Sequence, residues 1–138
     1  MMEESLTALR RGFAALALLA VAHASWAGDT TANAQLSHWS SVAGVAGSVE
    51  RGRMFFGSRH RNESSCASCH GALPTGPGKH AATGKVLPPL APAANPKAFT
   101  DSARVDKWFR RNCNDVVGRE CSAMEKADVL AFLLSLRP

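Results

Sequence analysis

Cys66-Ala67-Ser68-Cys69-His70 places two thiols and an imidazole within five consecutive residues. Cysteines three positions apart fall on one helical turn. Both sulfurs can therefore reach the two vinyl groups along one edge of a haem and form thioethers to them. The histidine that follows then lies under the iron as proximal ligand, and the cofactor implied is a single covalent haem c. The first four residues alone would also suit a zinc site or a thioredoxin-like dithiol. A four-cysteine zinc site would use Cys66, Cys69, Cys113 and Cys121 and leave His70 without a role.

The surrounding chain favours haem. Arg10-Arg11 precede the apolar run 13–22, and Ser25-Trp26-Ala27 carries the small-x-small pattern of a cleavage site. Residues 1–27 read as a secretory signal peptide, too short to cross a bilayer comfortably. Cleavage leaves one domain over 28–138, about 111 residues, with no further membrane-spanning stretch. Export to the periplasm suits covalent haem attachment and lets the remaining cysteines, Cys113 and Cys121, pair as a disulfide. So short a loop would contribute about 2.5 kcal/mol in the chain-entropy model.

The formal net charge is +5, and the signal segment holds two acids and two bases, so its removal leaves that value unchanged. A basic surface outside the cytoplasm points to an acidic redox partner or an anionic surface. The basic pairs Arg51/Arg53, Arg59/Arg61 and Arg110/Arg111 are scattered. Together with export, this excludes nucleic acid as a partner.

Helices must position these groups. A leading helix is predicted over 34–45, with Leu36, Trp39 and Val42 at helical spacing. Ser48 caps a second over 49–56, where Gly52 and Phe56 lie four apart and invite a close helix crossing. Ser122-x-x-Glu125 is a capping box that opens a final helix, with Val129, Leu130, Leu133, Leu134 and Leu136 as its apolar stripe. Residues 71–99 are rich in Gly, Pro and Ala. They read as backbone wrapped around a flat cofactor, with Leu87 and Leu90 at its edge. The fold class is all-α: a class I cytochrome c-like helical domain around one covalent haem.

Function turns on the sixth iron position. A methionine there makes an ordinary electron carrier. Met124 follows the haem motif, but at the start of the final helix, where packing on the core is the plainer role; His80, between Gly78 and Gly84, is another ligand candidate. The segment 100–113 is predicted helical, capped by Thr100 or Ser102, with Asp101 at its positive end and Arg110 and Arg111 at its negative end. Val105, Trp108, Phe109 and Asn112 share one of its faces. Read from spacing alone, Asn112 is a helix-terminal residue hydrogen-bonding its own turn.

The stretch 99–121 resembles the distal segment of the sphaeroides haem proteins, which are high-spin, oxygen-binding monohaem cytochromes c. The similarity rests on Arg111-Asn112-Cys113-Asn114 and Gly118-Arg119-Glu120-Cys121. It extends to Gly84-Lys85, to Pro89-Leu90-Ala91-Pro92 and to Glu125-Lys126-Ala127-Asp128. It runs from Gly28-Asp29-Thr30 to Leu134, and neither Met124 nor the basic loop Arg59-His60-Arg61 belongs to the shared pattern. The resemblance implies that Asn112 ligates ferric iron, beside the disulfide Cys113–Cys121. It also implies an electron supply from a dihaem cytochrome c linked to a membrane cytochrome b. An amide oxygen is a hard, weak ligand that suits iron(III) better than iron(II). Reduction would then free the site for O₂, NO or CO, between walls formed by Val105 and Trp108. The same site would serve binding alone or turnover of O₂, NO or peroxide.

Overall fold

The computed structural model describes residues 28–138; the segment read as a signal peptide, 1–27, lies outside the described residues. Five helices follow in order: α1 (Ala32–Ala43), α2 (Val49–Gly57), α3 (Cys66–His70), α4 (Ser102–Asn112) and α5 (Ala123–Ser135). A two-stranded antiparallel hairpin, β1 (Gly78–Lys79) with β2 (Val86–Leu87), lies between α3 and α4, pairing Gly78 with Leu87 and Lys79 with Val86. A π-helical turn, Cys113–Val117, follows α4 directly. Among the described residues, no helix is long and apolar enough to cross a membrane.

Local chemistry sets the helix ends. Thr31, Ser48, Ser65, Asp101 and Ser122 each accept a backbone N–H of the first turn through a side-chain oxygen. The box Ser122/Glu125 forms reciprocally: Ser122 Oγ accepts from Glu125 N–H, and Glu125 Oε2 accepts from Ser122 N–H. At α4 the cap is Asp101, not Thr100 or Ser102. Asp101 Oδ1 accepts from Arg104 N–H at 2.9 Å, while Thr100 Oγ1 donates to Lys97 O. Ser102 is already helical: its N–H donates to Asp29 Oδ1, and its hydroxyl accepts from Gln35 Nε2.

The core forms where α5 packs against α1 and α2. Residues Lys126 to Leu133 are buried on every side of α5, more than a single apolar stripe. Phe132, outside that stripe, is only 1% exposed and meets Phe56 of α2 at 5.5 Å between ring centroids. Leu134 and Leu136, at its far end, are half-buried. On α1 the inward face is Ala32 and Gln35, with Leu36 and Trp39 half-buried, and Val42 faces solvent at 60% exposure. Thr31 starts α1 two residues ahead of expectation, and Gly44, at φ 68°, ends it.

Gly52 is the contact point of the crossing. A methyl there would run into the Asp128 carbonyl and come within 2.9 Å of Phe132 Cβ. The side chain of Asp128, on an only 3% exposed residue, accepts from Ser48 N–H at 2.7 Å. It also accepts from Arg51 Nε at 2.8 Å and Arg51 Nη2 at 2.7 Å. A carboxylate so far from water persists only when paired in this way.

The long connection 71–99 is organised rather than structureless. Besides the hairpin, the buried Pro74 accepts through its carbonyl from Leu90 and Ala91 N–H, and Asn95 Nδ2 donates to Pro89 O. Leu90 packs on the core cluster of Phe56, Val129, Phe132 and Leu133.

Gly52→Ala is expected to cost about 1–3 kcal/mol, as overpacking does, read as a lower thermal midpoint. Gly57→Ala, where an added methyl meets nothing within 4 Å, should leave that midpoint unchanged or slightly higher.

Candidate haem site

α3 is one short turn made to present Cys66, Cys69 and His70. Ser65 and Ser68 form a capping box at its start, and Gly71, at φ 77°, ends it. Cys66 and Ala67 pack against the α2–α5 core cluster, and the Phe56 ring lies 6.4 Å from the His70 ring. The crossing thus fixes the attachment turn through Phe56. From the other side the hairpin closes on it: Gly78 sits against the Cys69 carbonyl where no side chain fits, and Ala81 N–H donates to Cys69 Sγ at 3.3 Å.

Both thiols of α3 are free and half-buried. Burial pushes the Cys66 thiol up to about 11, with Cys69 adding to the rise. Burial also pulls the His70 imidazole below its ordinary value, and the nearby His80 adds to that. Burial thus favours the thiol form of Cys66 and disfavours the charged form of His70. His80 is held within its own turn, where Nδ1 accepts from Thr83 N–H at 3.3 Å and its N–H donates to Lys85 O.

The second group of residues lies on α4 and the turn after it. Val105 is buried; Phe109 is half-buried and packs on both core clusters. Trp108 is 45% exposed, with the Arg111 guanidinium 5.6 Å from its ring centroid. Asn112 is exposed at the last position of α4. Its side chain makes no capping bond to the turn that follows. The role that spacing alone assigns it belongs to Asn114, whose Nδ2 donates to Arg110 O at 2.8 Å. Directly after Asn112 the backbone widens into the π-helical turn, and Cys113 and Cys121 are joined by a disulfide with Cα atoms 5.6 Å apart. Both cysteines are buried, packed with Val117, Phe55 and Phe109. With these two joined, a four-cysteine zinc site is not formed.

Arg119, inside the disulfide loop, fastens that loop to α5: its Nη1 and Nη2 donate to Glu125 Oε2 and Oε1 at 2.8 and 2.6 Å. Met124 is the second residue of α5 and 42% exposed, so it does not pack into the core. His60, in the loop before α3, is hydrogen-bonded through Nε2 to Phe55 O at 2.9 Å.

Residues 42–133 match the model of a family described as a domain of unknown function, DUF1924. Over 111 residues the chain is 48% identical to cytochrome c-type protein SHP of Cereibacter sphaeroides, spanning 78% of this chain and 85% of that protein. The chain belongs to the sphaeroides haem protein family. The solved structure of oxidised SHP, described as an oxygen binding cytochrome c, matches with a TM-score of 0.71 at 47% identity, over 77% of this chain and 97% of that one. A solution structure of cytochrome c'' from Methylophilus methylotrophus, described as giving insights into the structural basis of haem-ligand detachment, matches at 0.69 and 37% identity. It covers 78% of this chain and 94% of that one.

The fold is that of a helical class I cytochrome c, and the cofactor of this sphaeroides haem protein relative is haem c. The residues present fit it. Two unpaired cysteines three positions apart stand on one turn beside a histidine whose charged form burial disfavours, while the other cysteine pair is already oxidised.

The Arg119 guanidinium holds the Glu125 carboxyl below the usual carboxylate range, against the opposing effect of partial burial and with help from Ser122 N–H. A folded pKa below the unfolded one stabilises above the unfolded value, about 4.3, and that contribution is lost as pH falls through the folded value. Arg119→Ala should therefore be less stable than the parent at neutral pH, and the two denaturation curves should converge in strong acid. An equal gap at every pH would contradict the pairing.

Proposed function

We propose that this chain is an exported monohaem cytochrome that binds diatomic gases when reduced, with Asn112 as a ligand that leaves on reduction. In this reading residues 1–27 are removed on export and 28–138 work in the periplasm. Cys66 and Cys69 hold haem by thioethers, and His70 is the proximal ligand. When bound, haem would supply a reducible iron that His70 would hold and that could take a weak ligand or a gas. Electrons come from a partner cytochrome, a dihaem cytochrome c linked to a membrane cytochrome b. The net charge of +5 suits an acidic partner.

The observation that carries the reading is the placement of Asn112. Its amide is exposed, free of its own turn, and one residue from a disulfide-closed π-helical turn. π-helical turns are rare and concentrate at functional sites. The amide oxygen is hard and neutral, so it favours iron(III) and withdraws from iron(II). Once withdrawn it stays close, because Cys113 is tied to Cys121 and Arg119 ties that loop to α5. Its NH₂ group then donates a hydrogen bond to an incoming diatomic. Val105 and Trp108 give the pocket apolar walls. The kinship to an oxygen binding cytochrome c, and to a protein studied for haem-ligand detachment, supports the same reading.

Asn112→Ala tests it. The variant is expected to keep its covalent haem and to become five-coordinate or water-ligated when ferric, seen in the optical and resonance Raman spectra. A ferric spectrum identical to the parent's would move the sixth ligand to Met124 or His80 and make the protein an ordinary electron carrier.

A further inference from the structure

The loop 58–64 joins α2 to the haem-attachment turn, and it also touches the segment that carries Asn112. Its base is rigid. His60 lies against Phe55, with ring centroids 4.7 Å apart, and bonds the Phe55 carbonyl. His60 N–H donates to Ser64 O, Glu63 N–H donates back to His60 O, and Glu63 takes a left-handed φ of 53° to close the turn. Ser65 then caps α3. From this base two side chains reach across. Asn62 Nδ2 donates to Asp115 O of the π-helical turn at 2.7 Å. The aliphatic stem of Arg61 covers Gly118, where an added Cβ would stand 2.9 Å from Arg61 Cδ. Gly118, at φ 79°, is the left-handed residue that ends the π-helical turn.

The carbonyls at the end of a helical segment have no partner of their own, and Asn62 supplies one for Asp115. We infer that this loop is a strap and that Arg61 and Asn62 are positioning residues: they limit how far the turn after Asn112 opens, and so how readily the distal ligand moves aside. This rests on the assignment of Asn112 as distal ligand. α4 leads straight into Cys113, whose disulfide to Cys121 closes the loop that follows; the strap bears on Asp115 and Gly118 inside that loop. One exposed hydrogen bond contributes about 1 kcal/mol. That is small for global stability but comparable with the cost of opening a single turn, and corresponds to about fivefold in an opening equilibrium.

The test uses the holoprotein and the variants Asn62→Ala, Arg61→Ala and Asn62→Gln, the last keeping an amide donor. Hydrogen exchange of amides 113–118 should speed about fivefold in Asn62→Ala and be partly restored in Asn62→Gln. Cyanide association with the ferric protein, where Asn112 has to move aside, should speed up with it, while the thermal midpoint stays near the parent's. Unchanged exchange over 113–118 would overturn the strap. Faster exchange with unaltered ferric cyanide kinetics would overturn its control of the ligand. A failure of the Asn112 assignment is read separately, from the ferric spectrum of Asn112→Ala. If the exchange effect of Asn62→Ala appears only alongside a lowered thermal midpoint, the residues are general structural supports and the positioning role is wrong.

Discussion

Where α2 crosses α5 the two backbones meet at Gly52, and the Asp128 carboxylate closes the contact by accepting from Ser48 N–H and from Nε and Nη2 of Arg51. Breaking one side of such a buried pair leaves an uncompensated charge, so the clamp and the crossing stand or fall together. Phe56, one turn beyond Gly52, lies between Phe132 and His70. The geometry of the haem-attachment turn is inherited from the crossing through that ring. The distal side depends on it more loosely, through Phe109 and Phe55, which touch both core clusters.

The two groups of residues are held by different means. The attachment turn is boxed by its serine cap, the core and the hairpin. Asn112 sits where an α-helix changes pitch, with exposed residues around it and a covalent link just behind. For the labile ligand proposed above, this placement offers weak donor chemistry and, directly behind it, a covalent anchor. The exposed ion pairs nearby, such as Arg111 with Asp115 at 3.7 Å, contribute little to holding it.

What could be read from the chain alone follows from the range of each interaction. The attachment motif, the Gly52/Phe56 pair and the Ser122/Glu125 box are local patterns, and each is found in the structure as a helix turn, a crossing and a cap. The cap of α4 was not legible, because three adjacent residues can all cap; distant Asp29 and Gln35 engage Ser102 and leave the role to Asp101. Phe132 was missed because α5 is enclosed on several sides, so its apolar period carries little information. The π-helical turn has no propensity signature, and the exchange of roles between Asn112 and Asn114 follows from it. The contacts of Arg61 and Asn62 span more than fifty residues of sequence and have no local signal at all.

If Asn112 is a labile ligand, the iron of this protein opens when reduced. One optical titration tests that directly: the purified holoprotein is recorded ferric, then reduced with dithionite, then reduced under CO. A high-spin ferrous spectrum that shifts sharply on adding CO is the predicted result. A low-spin ferrous spectrum with narrow α and β bands, indifferent to CO, would contradict the account and assign a strong sixth ligand that stays in place in both oxidation states.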